Sequence, residues 1–97
     1  MKHFVVEVTY TASIEQIDAS LNVHRNFLQS GFDKGWLLMS GPQIPRTGGI
    51  IIARSPSLHE LQNFFLDDPY QKSKLAVYRF IEFNPVKRSS FIESWIE

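Results

Sequence analysis

The hydrophobic period of this chain switches back and forth between two and about 3.6 residues, and the order of the switches leaves few folds open. From His3 to Thr9 the residues are mainly β-branched or aromatic, with Phe4, Val6 and Val8 on one parity, the pattern of a strand. Thr11 to Ser13 interrupts it, and Ser13 followed by Gln16 has the spacing of a capping box, which predicts a helix start. Ile14, Ile17, Leu21, His24 and Leu28 then recur at intervals of three and four, placing them on one face of a helix that should end at Gly31.

Trp36 to Ser40 is short, apolar and bounded by Gly35 and Gly41, so it reads as a second strand stopping at the Gly41-Pro42 turn. Gln43 to Thr47 is polar and contains Pro45, a loop. Gly48-Gly49 reads as a turn that opens the buried run Ile50 to Ala53, a third strand. Ser57 and Glu60 form a second capping-box spacing after Pro56, and Leu58, Leu61, Phe64 and Phe65 supply the apolar face of a second helix. Asp68-Pro69 should end it, because the residue before proline is pushed out of the helical region. Ala76 to Phe83 alternates again and Pro85 closes this fourth strand.

Strand, helix, strand, strand, helix, strand is the split βαβ order, which predicts an α+β, ferredoxin-like antiparallel sheet of four strands with both helices on one face. Apolar residues occupy both parities of several strands, so the second sheet face should be covered as well, and pairing of two chains sheet to sheet would do it. The tail carrying Phe91, Trp95 and Ile96 is too apolar to hang free and should pack on its own chain or on a partner. A homodimer is the expectation, and residues 1–97 read as one domain, since a second core would leave each half too small.

Composition removes several classes of function. Ten basic and ten acidic residues cancel, and no stripe of Lys or Arg is present to track phosphates, so nucleic acid is a poor partner. The absence of cysteine removes disulfides, thiol nucleophiles and Cys-based zinc sites. No uninterrupted apolar segment approaches the ~18 residues of a membrane span, and the first strand begins without an apolar leader, so no membrane partner and a cytoplasmic location are expected. Gly48-Gly49 lacks the lysine and the strand-to-helix setting of a phosphate loop. His3, His24 and His59 fall on different elements, so no metal is assigned, and no cofactor is expected.

His24 stands apart because it lies in the middle of an otherwise aliphatic stripe, where its ring should face the sheet or a cleft. Two readings remain open from spacing alone: a packed core histidine satisfied by one backbone carbonyl, or a functional base. Asp68 likewise reads either as a helix terminator or as a partner for that ring, and Tyr70 as ordinary packing after Pro69 or as a substrate contact. Ser40 leads into a loop rather than onto a strained elbow, which weighs against a nucleophile.

A histidine in the first helix, Gly-Pro after the second strand and Asp-Pro-aromatic after the second helix appear here as His24, Gly41-Pro42 and Asp68-Pro69-Tyr70. In these motifs, and from the first strand to the fourth, the chain resembles the YCII-related (YciI-like) proteins. The resemblance implies a dimeric α+β barrel with His24 and Asp68 as an acid/base pair in a pocket between helix and sheet. It puts Tyr70, the Ser40-Gly41-Pro42 turn and Arg25 on the substrate side. Many of these proteins carry an arginine one turn before the histidine, where this chain has Leu21; Arg25 or Arg46 is then the candidate anion contact. A carboxylate bonded to one ring nitrogen fixes the tautomer and makes the other nitrogen the proton acceptor. The chemistry implied is cofactor-independent elimination or isomerisation of a small cyclic or aromatic molecule. The competing reading is a non-enzymatic small-molecule binding or interaction module of the same fold.

Overall fold

The alternation of the first segment is realised as β1, Lys2–Tyr10, whose Phe4, Val6 and Val8 are buried on one face. The computed structural model describes residues 1–97. Ser13 caps as its spacing predicts: its Oγ accepts from the Gln16 N–H at 3.2 Å, and its own N–H donates to Gln16 Oε1 at 3.3 Å.

The helix that follows is broken, contrary to the single stripe expected. α1 (Ile14–Ala19) stops at Ser20, and α2 (Leu21–Asp33) starts from the same residue. There the Ser20 N–H turns back to Ile17 O at 3.1 Å, tightening the last turn, and the His24 N–H restarts the ladder on Ser20 O at 2.9 Å. Ile17 thereby reaches the core while Ile14 stays 40% exposed.

Gly31 does not end α2 but lies inside it, buried against the sheet. A Cβ there would sit 2.7 Å from Leu37 Cδ1 and 2.9 Å from Phe64 Cζ, so this glycine permits close approach of helix to strand. The stop comes at Gly35, whose φ of +79° suits only glycine at low cost.

β2 spans Leu37–Pro42, one residue later than expected at its start and two later at its end. β3 spans Gly48–Ser55, so Gly48-Gly49 is strand and not turn. These two residues pair with Thr9 and Val8 of β1, and a Cβ on Gly48 would fall 1.7 Å from Val8 O. α3 (Leu58–Phe65) begins at Ser57, whose Oγ accepts from the Glu60 N–H at 3.1 Å. After it, Asp68 is extended as a residue before proline should be, yet Asp68-Pro69 also starts a new turn, α4 (Pro69–Lys72). β4 occupies Ala76–Phe83 as expected.

The strands form one antiparallel sheet in the order β2-β3-β1-β4, the ferredoxin-like α+β arrangement. Helix residues Ile17, Leu28, Leu61 and Phe65 bury against Phe4, Val6, Ile51 and Ala53 of the sheet in one core. On the opposite face Met39, Ile52, Val5 and Ile81 stand in register across all the strands, with exposed Val77 and Phe83 nearby. The tail folds over one end of that face as a 3-10 turn, Ser90–Ile92, and α5, Glu93–Ile96. Ile96 is buried, the Trp95 ring lies 5.7 Å from that of His3, and Arg54 donates to Trp95 O. Phe91 remains 84% exposed. No helix is long and apolar enough to cross a membrane.

Candidate active site

His24 is carried by the first turn of α2, and Asp68 by the extended residue that precedes Pro69. The fold brings the two together: His24 Nδ1 lies 2.8 Å from Asp68 Oδ1. The same Oδ1 accepts the Tyr70 N–H at 3.1 Å, which is the cap of α4, and Oδ2 accepts the hydroxyl of Tyr78 from β4. Asp68 is 0% exposed, so these three donors replace the water its carboxylate has lost. Burial, reinforced by the neighbouring Asp68, pushes the Tyr78 phenol far above the ordinary tyrosine range and keeps it a donor.

With the carboxylate as acceptor, Nδ1 of His24 carries the hydrogen, and in the neutral ring Nε2 then presents its lone pair. The ring stacks on Tyr70 at 3.9 Å between centroids and 10° between planes. Both rings line a pocket of about 450 Å³, large enough for a single small ring. Ser40, Gly41 and Pro42 line it from the end of β2, and Arg25 lines it from the exposed side of α2. Asp68 stands behind this wall and orients the histidine from there. Val8, Leu21, Leu28 and Ile51 make up much of the apolar lining, so the turn before His24 offers the pocket Leu21 and no charge.

Arg46 reaches the pocket from the β2–β3 loop, tied to Asp18 of α1 at 2.6 Å and lying 5.7 Å from the Tyr10 ring centroid. Bonding to Asp18, then to Tyr10, raises the Arg46 guanidinium further above its already high range. The Tyr70 hydroxyl has no hydrogen-bond partner although it is closed off from bulk water. Burial, with Tyr10 as the next cause, pushes it up to about 12, so it is neutral and able to donate.

His3 and His59 lie on β1 and α3, away from His24, and no group of three or more His, Cys, Asp or Glu side chains is placed to hold a metal ion. Tyr78, Tyr10 and Asp18 escaped the sequence reading. Of these only Tyr78 had a signal: it shares the parity of Phe80 on an alternating strand, and a buried tyrosine needs a partner for its hydroxyl.

A ferredoxin-like sheet with one helical face, and a His–carboxylate pair beside a ring-sized pocket between them, define a small α+β protein with one candidate site. The chain belongs to the YCII-related domain family, whose model matches residues 1–84. The tail beyond Asn84 lies outside that match. Among solved structures it is similar to 5-chloro-2-hydroxyhydroquinone dehydrochlorinase from Burkholderia phenoliruptrix in complex with 2,5-dihydroxybenzoquinone. That likeness has a TM-score of 0.71 at 19% identity and covers 92% of this chain and 97% of the other. No curated protein sequence matches the chain.

Proposed function

We propose that this chain is a cofactor-independent lyase or isomerase acting on a small cyclic or aromatic substrate, with His24 as base and Asp68 as its orienting partner. The observation that carries this reading is the 2.8 Å bond from His24 Nδ1 to a buried carboxylate, beside a pocket of about 450 Å³. Nε2 takes a proton from a carbon next to a carbonyl, and the C–H electron pair moves toward the carbonyl oxygen as an enolate. The enolate then either expels a leaving group from the neighbouring carbon or takes the proton back at another carbon. The first route is elimination and the second isomerisation. Neither needs an electron acceptor. Ser40, Gly41, Pro42, Tyr70 and Arg25 would hold the ring.

The 2,5-dihydroxybenzoquinone bound by the structurally similar dehydrochlorinase supports a ring of that size as probe. Chloride release from a chlorinated hydroxyhydroquinone should be followed for the wild type and for His24→Gln. Loss of about 10² to 10⁴-fold in rate on substitution is expected for a general base. Equal rates in the two proteins would remove His24 from the mechanism.

One observation favours a second reading, a binding module without turnover. Asp68 caps α4 and holds Tyr78, so the pair has a structural task whatever its chemistry. Saturable binding of the quinone with no turnover of any chlorinated ring would decide for it. We also infer a homodimer, formed through the open sheet face along Met39, Ile52, Val5 and Ile81.

A further inference from the structure

We infer that residues 85–97 form a pH-sensitive latch: this tail is held on the sheet by the neutral form of His3 and is let go when that ring takes up a proton. The latch lies on the sheet face away from the pocket and does not depend on the chemistry proposed for His24.

The tail is an addition to the family's fold. It begins where the family match ends, and its helical part is a 3-10 turn and the four residues of α5, too short to hold together unaided. Little fastens it to the sheet. Ile96 is its one buried residue, Arg54 of β3 donates to Trp95 O, and the Trp95 ring lies against His3. A small change in any of these contacts therefore decides whether the tail is on or off.

His3 is the titratable member of this contact. On β1 it points away from the helices, in register with Arg54 on one side and Phe83 on the other, and beneath the tail it is 7% exposed. Its Nε2 is buried without a hydrogen-bond partner. In the neutral ring that nitrogen can be a bare acceptor, whereas an imidazolium would carry a proton there with nothing to receive it.

The surrounding charges also oppose protonation. The amino terminus and Lys2 on β1, Arg54 on β3 and Arg88 on the tail are all cationic. The carboxylates of the same elements are committed: Glu82 of β4 lies 3.5 Å from Lys2, and Glu93 lies 2.6 Å from Arg88. Glu97 is exposed and acts on Arg88. The Trp95 indole, which would favour a cation, already has the Arg54 guanidinium 5.3 Å from its centroid. Burial first, with the amino terminus, Arg54 and Arg88 behind it, holds His3 below the usual histidine value, against one opposing contact from the Ile96 backbone.

With the tail released, the ring meets water and titrates near the ordinary 6.5. Above that pH both forms are neutral and the latch has its full strength. Below it the released form gains a proton that the docked form refuses. Docking then weakens about ten-fold per pH unit, or about thirty-fold by pH 5 while the docked ring stays neutral. Opening adds the row of Arg54, His3 and Phe83 to the open face beside the row from Met39 to Ile81.

Backbone amide exchange of α5, followed from pH 7.5 to 5 in the wild type and in His3→Phe, tests the latch. The variant's ring cannot charge, so the ratio of the two proteins at each pH cancels the pH dependence of exchange itself. Wild-type protection relative to the variant should fall by up to about thirty-fold over this range, while the paired amides of β1 and β3 keep theirs. A constant ratio would overturn the inference, and so would an equal loss in the strands, which would make His3 a determinant of the whole fold. Should His3→Phe fold poorly, NMR titration of the His3 ring in the wild type and in Ile96→Ala decides the matter. Loosening the tail should raise the ring toward 6.5. The same value in both proteins would show that the tail and the proton are not linked.

Discussion

At Asp68 donors arrive from α2, α4 and β4 on one carboxylate that water does not reach. Truncation to alanine strands all of them, and leaving buried donors unpaired costs about 1–3 kcal/mol each. Asp68→Ala should therefore destabilise the fold by on the order of 3–5 kcal/mol, read by urea denaturation; a loss under about 1 kcal/mol would mean that the network contributes little. Asp68→Asn keeps the shape but weakens the acceptor facing Nδ1, so the His24 ring should shift from the Nδ1–H tautomer toward a mixture. Ring nitrogen NMR shifts report this directly, and identical spectra would separate the two residues. A pH effect also belongs here. Folding raises the Tyr70 phenol from 10.0 to about 12 and raises Tyr78 in the same direction. The folded state thus holds these protons more tightly than the unfolded one. The resulting stability is complete below about pH 10 and is lost as pH climbs through the folded values, more gently in Tyr70→Phe. Denaturant midpoints between neutral and strongly alkaline pH would display that slope. At this scale local pattern placed His24 on the inner face of its helix and Asp68 at a helix end, while their pairing was implied only by the family resemblance. The Tyr70 hydroxyl was not legible, since a tyrosine packed by its ring looks the same in sequence whether or not its oxygen finds a partner.

Helix starts were legible one element up, where Ser13 and Ser57 act through neighbours three residues away. Glycines misled because sequence does not reveal what approaches them. Gly31 and Gly48 both read as punctuation, but each marks a place where another segment comes too close for a side chain. The two predict different outcomes. At Gly31 the obstructing atoms belong to Leu37 and Phe64 side chains, which can shift, and alanine gains about 1 kcal/mol of helix propensity against 1–3 of overpacking. Gly31→Ala should cost about 0–2 kcal/mol. At Gly48 the obstruction is the Val8 backbone oxygen, so β1 and β3 must part; Gly48→Ala should cost on the order of 4 kcal/mol or more. Thermal unfolding of both variants would check the order, and a Gly48→Ala protein as stable as Gly31→Ala would contradict it. The break at Ser20 had no clear signal, whereas the turn α4 had one that was read only as a stop: Asp at the cap followed by Pro at the first position also starts a helix, with the Tyr70 N–H donating back to Asp68.

The whole molecule presents an open sheet face with an apolar row from Met39 to Ile81, partly capped at one end by the tail. Strand parity told that both faces are apolar; what covers the second is not encoded in local pattern. Phe91, left exposed on a tail that otherwise packs at Ile96, fits the edge of a shared interface. Sedimentation should return twice the chain mass of 11.2 kDa at micromolar concentration. Ile81→Glu, placing a charge at the β4 end of the row, should yield a folded monomer. A wild-type monomer with no concentration dependence would remove the dimer.

The carboxylate that orients His24 is also the cap of α4 and the seat of the Tyr78 hydroxyl. A descendant of this chain with no chemical task at this site would still lose protein on replacing Asp68, because unfolded copies are cleared from the cell. Selection on abundance alone would then retain Asp68 whatever chemistry the site performs.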